Sequence, residues 1–153
     1  MNVTKRDGRV EDFDNEKIHE VLFWAIEGIK GVTVSDIEIK VAPQFYDGIS
    51  SQQIHQILVQ GASDMITERT PNYQYVAANL LNFYLRKEVF GTSDNMPPLV
   101  DVIKTNIAAN IYDKEILDHF SDNEIKKLDN LIKHKRDYDF AYAGLQQLID
   151  KYL

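Results

Sequence analysis

Apolar side chains recur at intervals of three and four over most of residues 15–90, which is the spacing of amphipathic helices. The first predicted helix follows Asp14, a residue that suits an N-cap, and ends before Gly31. The last one in this region follows Pro71 and ends at Gly91. With two helices between them, the pattern predicts four helices packed around one core.

The second and third helices open on sequences typical of capping boxes, in which a Ser and a Glu or Gln three residues later bond each other's backbone amides. Ser35 with Glu38 predicts the start of the second helix, and Ser50 with Gln53 predicts the start of the third. Pro43 falls inside the second helix and predicts that this helix is short or kinked.

The first residues alternate between polar and apolar instead of following helical spacing. Residues 2–5 and 9–13 flank Asp7-Gly8, a pair typical of a type I′ turn between two strands. This predicts a small hairpin that covers the bundle. The expected fold class is α+β, mostly α: a four-helix bundle capped by a β-hairpin or three-stranded sheet, followed by accessory helices.

Residues 92–98, which are rich in Ser, Thr, Asp, Asn and Pro, predict a domain boundary. Beyond them, shorter helices are predicted near residues 99–109 and 114–119, from a cap at Ser121 to Lys133, and near 140–152. We therefore expect a first domain over residues 1–92 and a helical segment over 93–153.

Composition excludes several kinds of chemistry. The 153 residues carry a net charge of −7, which disfavours general binding to nucleic acid or to anionic membranes. The absence of Cys excludes disulfides, thiolate metal sites and a catalytic thiol, and the four His lack metal-ligand spacing. No stretch is long and apolar enough to span a bilayer, and no signal peptide is recognisable, so a cytoplasmic location is expected.

A few cations are the remaining candidates for a binding site. Lys5 and Arg6 lie at the edge of the predicted hairpin, Lys17 lies one turn into the first helix, and Arg86-Lys87 closes the fourth. A helix N-terminus attracts phosphate because its first N–H groups are unpaired. If the hairpin covers the end of the bundle, Lys5, Lys17 and Lys87 converge on a triphosphate. The alternative is that they are ordinary surface charges.

Several motifs occur in order along the chain: Val3-Thr4-Lys5-Arg6-Asp7-Gly8, Phe13-Asp14-x-x-Lys17-Ile18-His19, Gln44-Phe45-Tyr46-Asp47-Gly48-Ile49, Pro71-Asn72-Tyr73-Gln74-Tyr75-Val76 and Leu85-Arg86-Lys87. This series resembles the ATP-cone domain that begins many class I ribonucleotide reductase large subunits. The last stretch, from Lys133, resembles the helical region that follows the cone in those enzymes. The resemblance covers essentially the whole chain.

The resemblance implies an allosteric site where ATP keeps the ribonucleoside-diphosphate reductase active and dATP inhibits it, controlling deoxyribonucleotide synthesis for DNA replication. It implies Mg²⁺ with the nucleotide, and as partners the rest of the large subunit and the radical-generating small subunit. The residues that it places around the nucleotide are Lys5, Arg6, Glu11, Asn15, Lys17, Ile18, Ser51, Ile54, His55, Phe83 and Lys87, with Val3 as a further apolar wall.

Within this set, the resemblance assigns the phosphates to Lys5, Arg6, Lys17 and Lys87. Glu11 and Asn15 belong to the segment that wraps the nucleotide, and His55 stands where relatives distinguish ATP from dATP. Ser51 stands where relatives commonly have Thr. For the apolar members, core packing remains an equal alternative.

The same resemblance implies that this chain is not an enzyme on its own. The family's catalytic cysteines lie on a barrel and a C-terminal tail, and this chain has no Cys. A degenerate cone that acts only as a protein interaction module is the main alternative. A nucleotide-sensing repressor with the same cone is a weaker one, because its zinc ribbon needs four Cys.

Overall fold

The computed structural model describes residues 1–152. Three short strands, β1 (Asn2–Thr4), β2 (Val10–Asp12) and β3 (Ile49–Ser50), form one sheet in the order β2-β1-β3. β1 runs antiparallel to β2, with Val3 opposite Glu11, and parallel to β3, with Val3 beside Ile49. The predicted combination of a small sheet with a mainly helical chain is confirmed.

Eight α-helices occur in the described residues. They are α1 (Asn15–Ile26), α2 (Val34–Val41), α3 (Ser51–Ser63), α4 (Tyr73–Phe90), α5 (Leu99–Ala108), α6 (Glu115–His119), α7 (Asp122–Asp129) and α8 (Tyr142–Tyr152). Short 3-10 turns follow α2 at Ala42–Gln44 and precede α8 at His134–Asp139. None of these helices combines the length and the hydropathy that crossing a membrane requires.

The turn of the hairpin is not the predicted type I′ turn. That turn needs two consecutive residues in the left-handed region, but Asp7 lies outside it and only Gly8, at φ +84°, lies within it. The Gly8 N–H donates to the Lys5 carbonyl over 3.0 Å, and the Lys5 N–H donates to the Arg9 carbonyl over 2.8 Å. This pattern is a type I turn followed by one left-handed residue. The Asp7 carboxylate favours it by accepting from the Arg9 backbone.

The first helix begins as predicted but ends earlier. The Asp14 side chain accepts from the Glu16 N–H over 3.0 Å and caps α1. The helix ends at Ile26, because Gly28 takes a left-handed conformation at φ +75° before the chain reaches Gly31.

Of the two predicted capping boxes, one is confirmed and one is wrong. Ser50 and Gln53 bond each other's backbone amides at the start of α3, over 3.1 and 3.2 Å. At α2 the cap is Thr33, whose hydroxyl accepts from the Asp36 N–H over 3.2 Å. Glu38, the predicted partner of Ser35, instead contacts His19 of α1 over 2.9 Å.

The chain forms two compact units. The first contains residues from Met1 to Leu85 together with the end of the chain from Asp137, and the second contains Arg86–Arg136. This grouping differs from the expected 1–92 and 93–153 division because Leu145 of α8, only 5% exposed, is buried in the core of the first unit. The expected division into a domain over residues 1–92 and a helical segment over 93–153 stays a prediction.

The core of the first unit joins the sheet to the helices. Val3 and Ile49 supply its sheet side. The largest fully buried side chains of this core are Leu22, Ile37, Val41, Ile49, Leu58, Tyr73, Val76 and Leu80. In the second unit α5 packs against α7, and each supplies one buried isoleucine, Ile103 and Ile125.

Candidate functional site

The predicted site residues are distributed over the hairpin, the starts of two helices and the last turns of α4. Lys5 and Arg6 follow β1, Glu11 is the middle residue of β2, Asn15 and Lys17 lie in the first turn of α1, Ser51, Ile54 and His55 lie in the first two turns of α3, and Phe83 and Lys87 lie on α4. All but Lys87 belong to the first compact unit.

Glu11 holds two cations beside the hairpin. Its carboxylate oxygens lie 3.6 Å from Lys5 Nζ and 3.4 Å from Arg9 Nη1. The Lys5 and Glu11 side chains are each 35% exposed, and ion pairs with this much solvent contribute about 0–1 kcal/mol. Lys5 can therefore exchange Glu11 for another anion at little cost.

Arg9 is more firmly engaged than Lys5. Its Nε donates to Asp7 Oδ2 over 2.7 Å, within the same turn. This hydrogen bond lowers the pKa of the Asp7 carboxyl below its ordinary value, and the same contact raises the pKa of Arg9. Both groups thus stay charged over the physiological range, and Arg9 supports the turn.

The start of α1 carries the other predicted cation. Lys17 Nζ lies 3.8 Å from Asp14 Oδ2, and the Lys17 side chain is 65% exposed. Asp14 also caps the helix, so this carboxylate already supplies negative charge at the positive end of α1. Asn15 is exposed beside it.

Two of the predicted residues, Arg6 and His55, meet at a residue that was not predicted to bind, and a third, Phe83, packs against His55. The Arg6 guanidinium carbon lies 5.5 Å from the centroid of the Tyr84 ring. The ring of His55 has its centroid 6.0 Å from that of Tyr84 and 5.4 Å from that of Phe83. Hairpin, α3 and α4 are thereby joined at one place.

Aromatic contacts continue from this place through the first unit. Phe83 meets Trp24 at 5.5 Å between ring centroids, and Trp24 meets Tyr138 at 5.7 Å. The indole of Trp24 is half-buried among these rings. We call the five rings the aromatic series: Tyr84, His55, Phe83, Trp24 and Tyr138.

Three of the four predicted apolar walls are core residues, and the fourth, Phe83, is half-buried. Val3, Ile18 and Ile54 are each no more than 8% exposed and belong to the core of the first unit. Ser51 is half-buried, one helical turn before His55 on α3, so its hydroxyl and the imidazole lie on the same side of that helix. Ile54 packs inward while Ser51 and His55 remain partly accessible.

Tyr84 is the residue that the sequence analysis missed. Its place in the predicted fourth helix did not indicate a binding role, and the structure shows it half-buried under Arg6. An aromatic pair at 83–84 shortly before Arg86-Lys87 was the available signal, since aromatic rings near cations often take part in recognition. Tyr138 carried no such signal.

The arrangement combines groups that suit a nucleotide. Guanidinium and ammonium groups bind phosphate oxygens, and aromatic faces stack on planar bases. No group of three or more His, Asp or Glu that could hold a metal ion occurs between residues 1 and 152.

Comparison with known proteins also indicates a nucleotide-binding domain. Residues 1–88 match the family model described as the ATP cone domain. Over 151 residues, or 99% of its length, the chain is 43% identical to ribonucleoside-diphosphate reductase 1 subunit alpha of Salmonella typhimurium and 42% identical to that of Escherichia coli. The alpha subunit of Enterobacteria phage T4 is 39% identical over 153 residues.

The similarity to these subunits extends past the family model into α5–α8. The chain spans 20% of the length of each of these relatives. It contains no cysteine and so no thiol for radical or redox chemistry. Since the matched residues 1–88 make up more than half of the 153, this chain belongs to the ATP-cone domain family.

Proposed function

We propose that this domain binds ATP or dATP as an allosteric effector and thereby controls the activity of a ribonucleoside-diphosphate reductase in deoxyribonucleotide synthesis. The observation that carries the proposal is that Arg6 and His55 both contact the Tyr84 ring, with Phe83 against His55, in a chain that belongs to the ATP-cone family. Cation, imidazole and aromatic faces from three elements are together within one compact unit.

In this proposal the phosphates are bound by Lys5, Arg6 and Lys17. The weak ion pair between Lys5 and Glu11 favours exchange, because a triphosphate offers Lys5 several more negative charges than one carboxylate. Asn15 and the first turn of α1 contribute polar groups beside Lys17. Lys87 joins the set on the resemblance to the family alone, and Mg²⁺ enters with the nucleotide.

Discrimination between ATP and dATP depends on one ribose hydroxyl. An effector shifts an equilibrium only by its difference in affinity for the two states. A buried hydrogen-bonding group that loses its partner costs about 1–3 kcal/mol, which is roughly a five- to 150-fold change in affinity. His55 and Ser51, on one side of α3, are the proposed groups, since the rings of Phe83 and Tyr84 restrain the imidazole.

The proposed partners are the remainder of the reductase large subunit and the radical-generating small subunit. Binding energy would be transmitted to them as a change in how the subunits associate. A domain with this sequence that bound no nucleotide would act through those contacts alone, as an interaction module.

The test is calorimetric and thermal-shift titration of the 153-residue chain with ATP, dATP and GTP in the presence of Mg²⁺. We expect saturable binding of the two adenine nucleotides, with about 2.7 kcal/mol of added stability at a hundredfold excess over Kd, and weaker binding of GTP. No shift with any of the three would contradict nucleotide sensing and favour the interaction module.

A charge-matched pair of variants separates specific binding from general electrostatics. Lys5→Ala with Lys17→Ala should lower the ATP affinity at least tenfold. Lys126→Ala with Lys127→Ala removes the same charge from the exposed surface of α7 and should leave the ATP affinity unchanged. In a complete reductase that contains this segment, the first pair should also abolish the response to dATP.

A further inference from the structure

Arg6 belongs to an exposed turn, yet its guanidinium has a defined place. Its carbon lies 5.5 Å from the Tyr84 ring centroid, within the range of about 6 Å at which an aromatic ring attracts a cation. A long arginine side chain in a turn otherwise samples many rotamers, and a ligand that binds it must restrict them. A side chain that is already held on a ring loses less freedom on binding.

Tyr84 is suited to hold the guanidinium because it is itself restrained. It lies in the second half of α4. Its ring meets the His55 ring with 6.0 Å between the centroids and 49° between the ring planes. His55 in turn meets Phe83 at 5.4 Å. The ring under Arg6 is therefore supported by His55 of α3, which is itself packed on Phe83.

We propose that Tyr84 is a positioning residue of the effector site: its ring presents the Arg6 guanidinium to the nucleotide phosphates. This inference rests on the proposed function, because it needs a nucleotide at the site. It predicts that Arg6 and Tyr84 act as one unit, so that the contribution of Arg6 to binding depends on the ring at position 84.

The number of phosphates distinguishes positioning from a structural role. Arg6 acts on phosphate charge, so loss of the Tyr84 ring should weaken ATP more than AMP. A ring that served only to fill space at the site would weaken both nucleotides by the same factor when it is removed. The ratio of the ATP and AMP affinities is therefore the informative quantity.

The experiment measures Kd for ATP and AMP by calorimetry with the 153-residue chain and a set of variants. Tyr84→Leu removes the ring and keeps apolar volume, and we expect a roughly three- to tenfold loss of ATP affinity with a smaller loss for AMP. Tyr84→Phe keeps the ring and should recover most of the loss. Tyr75→Leu, at an exposed tyrosine of the same helix, is the control and should change neither Kd.

Arg6→Lys completes a double-mutant cycle with Tyr84→Leu, and its effect in the wild-type background does not depend on the folding of Tyr84→Leu. Arg6→Lys keeps the charge and loses the planar group that stacks on a ring. It should weaken ATP binding in the wild-type background and have little further effect beside Tyr84→Leu. If Arg6→Lys leaves ATP binding unchanged, or if the effects of Arg6→Lys and Tyr84→Leu multiply, the positioning role is overturned.

The two proposals fail in different ways. A wild-type chain that binds neither ATP nor AMP overturns the proposed function and this inference with it. A wild-type chain that binds ATP, with Tyr84→Leu weakening ATP and AMP equally, leaves the proposed function in place and overturns the positioning role alone.

Discussion

The rings of Trp24 and Tyr138 meet edge-on, with their centroids 5.7 Å apart and their planes at 76°. Trp24 lies on α1 and Tyr138 in the 3-10 turn before α8, so this contact holds the end of the chain against the first helix of the same compact unit. The Asn82 side chain donates to the Asp137 carbonyl over 2.6 Å and fixes the same turn. Asn82 is only 4% exposed, so the donor of this hydrogen bond is buried.

Replacing Tyr138 should weaken the packing of the end of the chain on α1. Tyr138→Leu keeps apolar volume but loses the aromatic pair, which is worth about 0.5–1.5 kcal/mol beyond the area that it buries. We expect the free energy of unfolding to fall by that amount. The chain has one Trp, so urea denaturation followed by tryptophan fluorescence also reports the local change around Trp24. Tyr152→Leu, at a tyrosine that is 75% exposed, should leave both quantities unchanged.

Two serines that look alike in the sequence should differ in their effect on stability. Ser50→Ala removes the N-cap of α3 and one half of its capping box, which should cost about 0.5–2 kcal/mol. Ser35→Ala should stay within about 0.5 kcal/mol, because Ser35 is exposed and Thr33 caps α2. Thermal and urea denaturation of the two variants give the comparison. Equal costs would place the start of α2 at Ser35.

These two serines also show how far local sequence determines the fold. The Ser50 box and the Asp14 cap were predictable because each bonds amides within three residues of itself. For α2, Thr33 and Ser35 are both acceptable caps. The choice is made by a distant contact, since the Thr33 N–H donates to the Tyr73 hydroxyl over 3.2 Å and stays outside the helix.

The candidate site also has a part that local sequence determines and a part that depends on distant contacts. The sequence placed Lys5 and Arg6 at the hairpin, because an alternating pattern and a turn are local features. It did not reveal that Arg6 lies over Tyr84, since that contact depends on how the hairpin lies on α4 and on the direction of both side chains. Burial of α8 through Leu145 was missed for the same reason, because an apolar stripe does not identify the surface that it packs against.

A methyl group should have opposite effects at two helical glycines. A Cβ at Gly61 of α3 would overlap Cγ1 of Val41, a residue of α2 that is 1% exposed, so Gly61→Ala should cost about 1–3 kcal/mol. A Cβ at Gly144 of α8 meets nothing within 4 Å, and Gly144→Ala should gain roughly 0.5–1 kcal/mol from the lower entropy of the unfolded chain.

Chemical denaturation of the two alanine variants tests the close packing of α2 on α3. Combining Gly61→Ala with Val41→Ala should recover part of the loss, because the second change removes the group that is overlapped. A Gly61→Ala variant as stable as Gly144→Ala would mean that the two helices lie farther apart than in this structure.

The stability of the first unit should fall in alkaline solution through Tyr73. Its side chain is 1% exposed, and burial raises the pKa of its hydroxyl above the ordinary 10.0. The Thr33 N–H opposes this shift, whereas the nearby Asp36 carboxylate adds to it. The folded state therefore keeps the Tyr73 proton at a pH where the unfolded chain has lost it.

For a raised pKa, the stabilising contribution is complete below the unfolded value of about 10 and is lost as the pH rises toward the folded value. The unfolding free energy of the wild type should thus decline above about pH 10, and Tyr73→Phe should decline less over the same range. Asp36→Asn removes the carboxylate that raises the pKa of Tyr73, so its stability should decline over a smaller pH range. Urea denaturation from pH 7 to 11 measures all three profiles, and parallel curves for wild type and Tyr73→Phe would show that burial does not retain this proton.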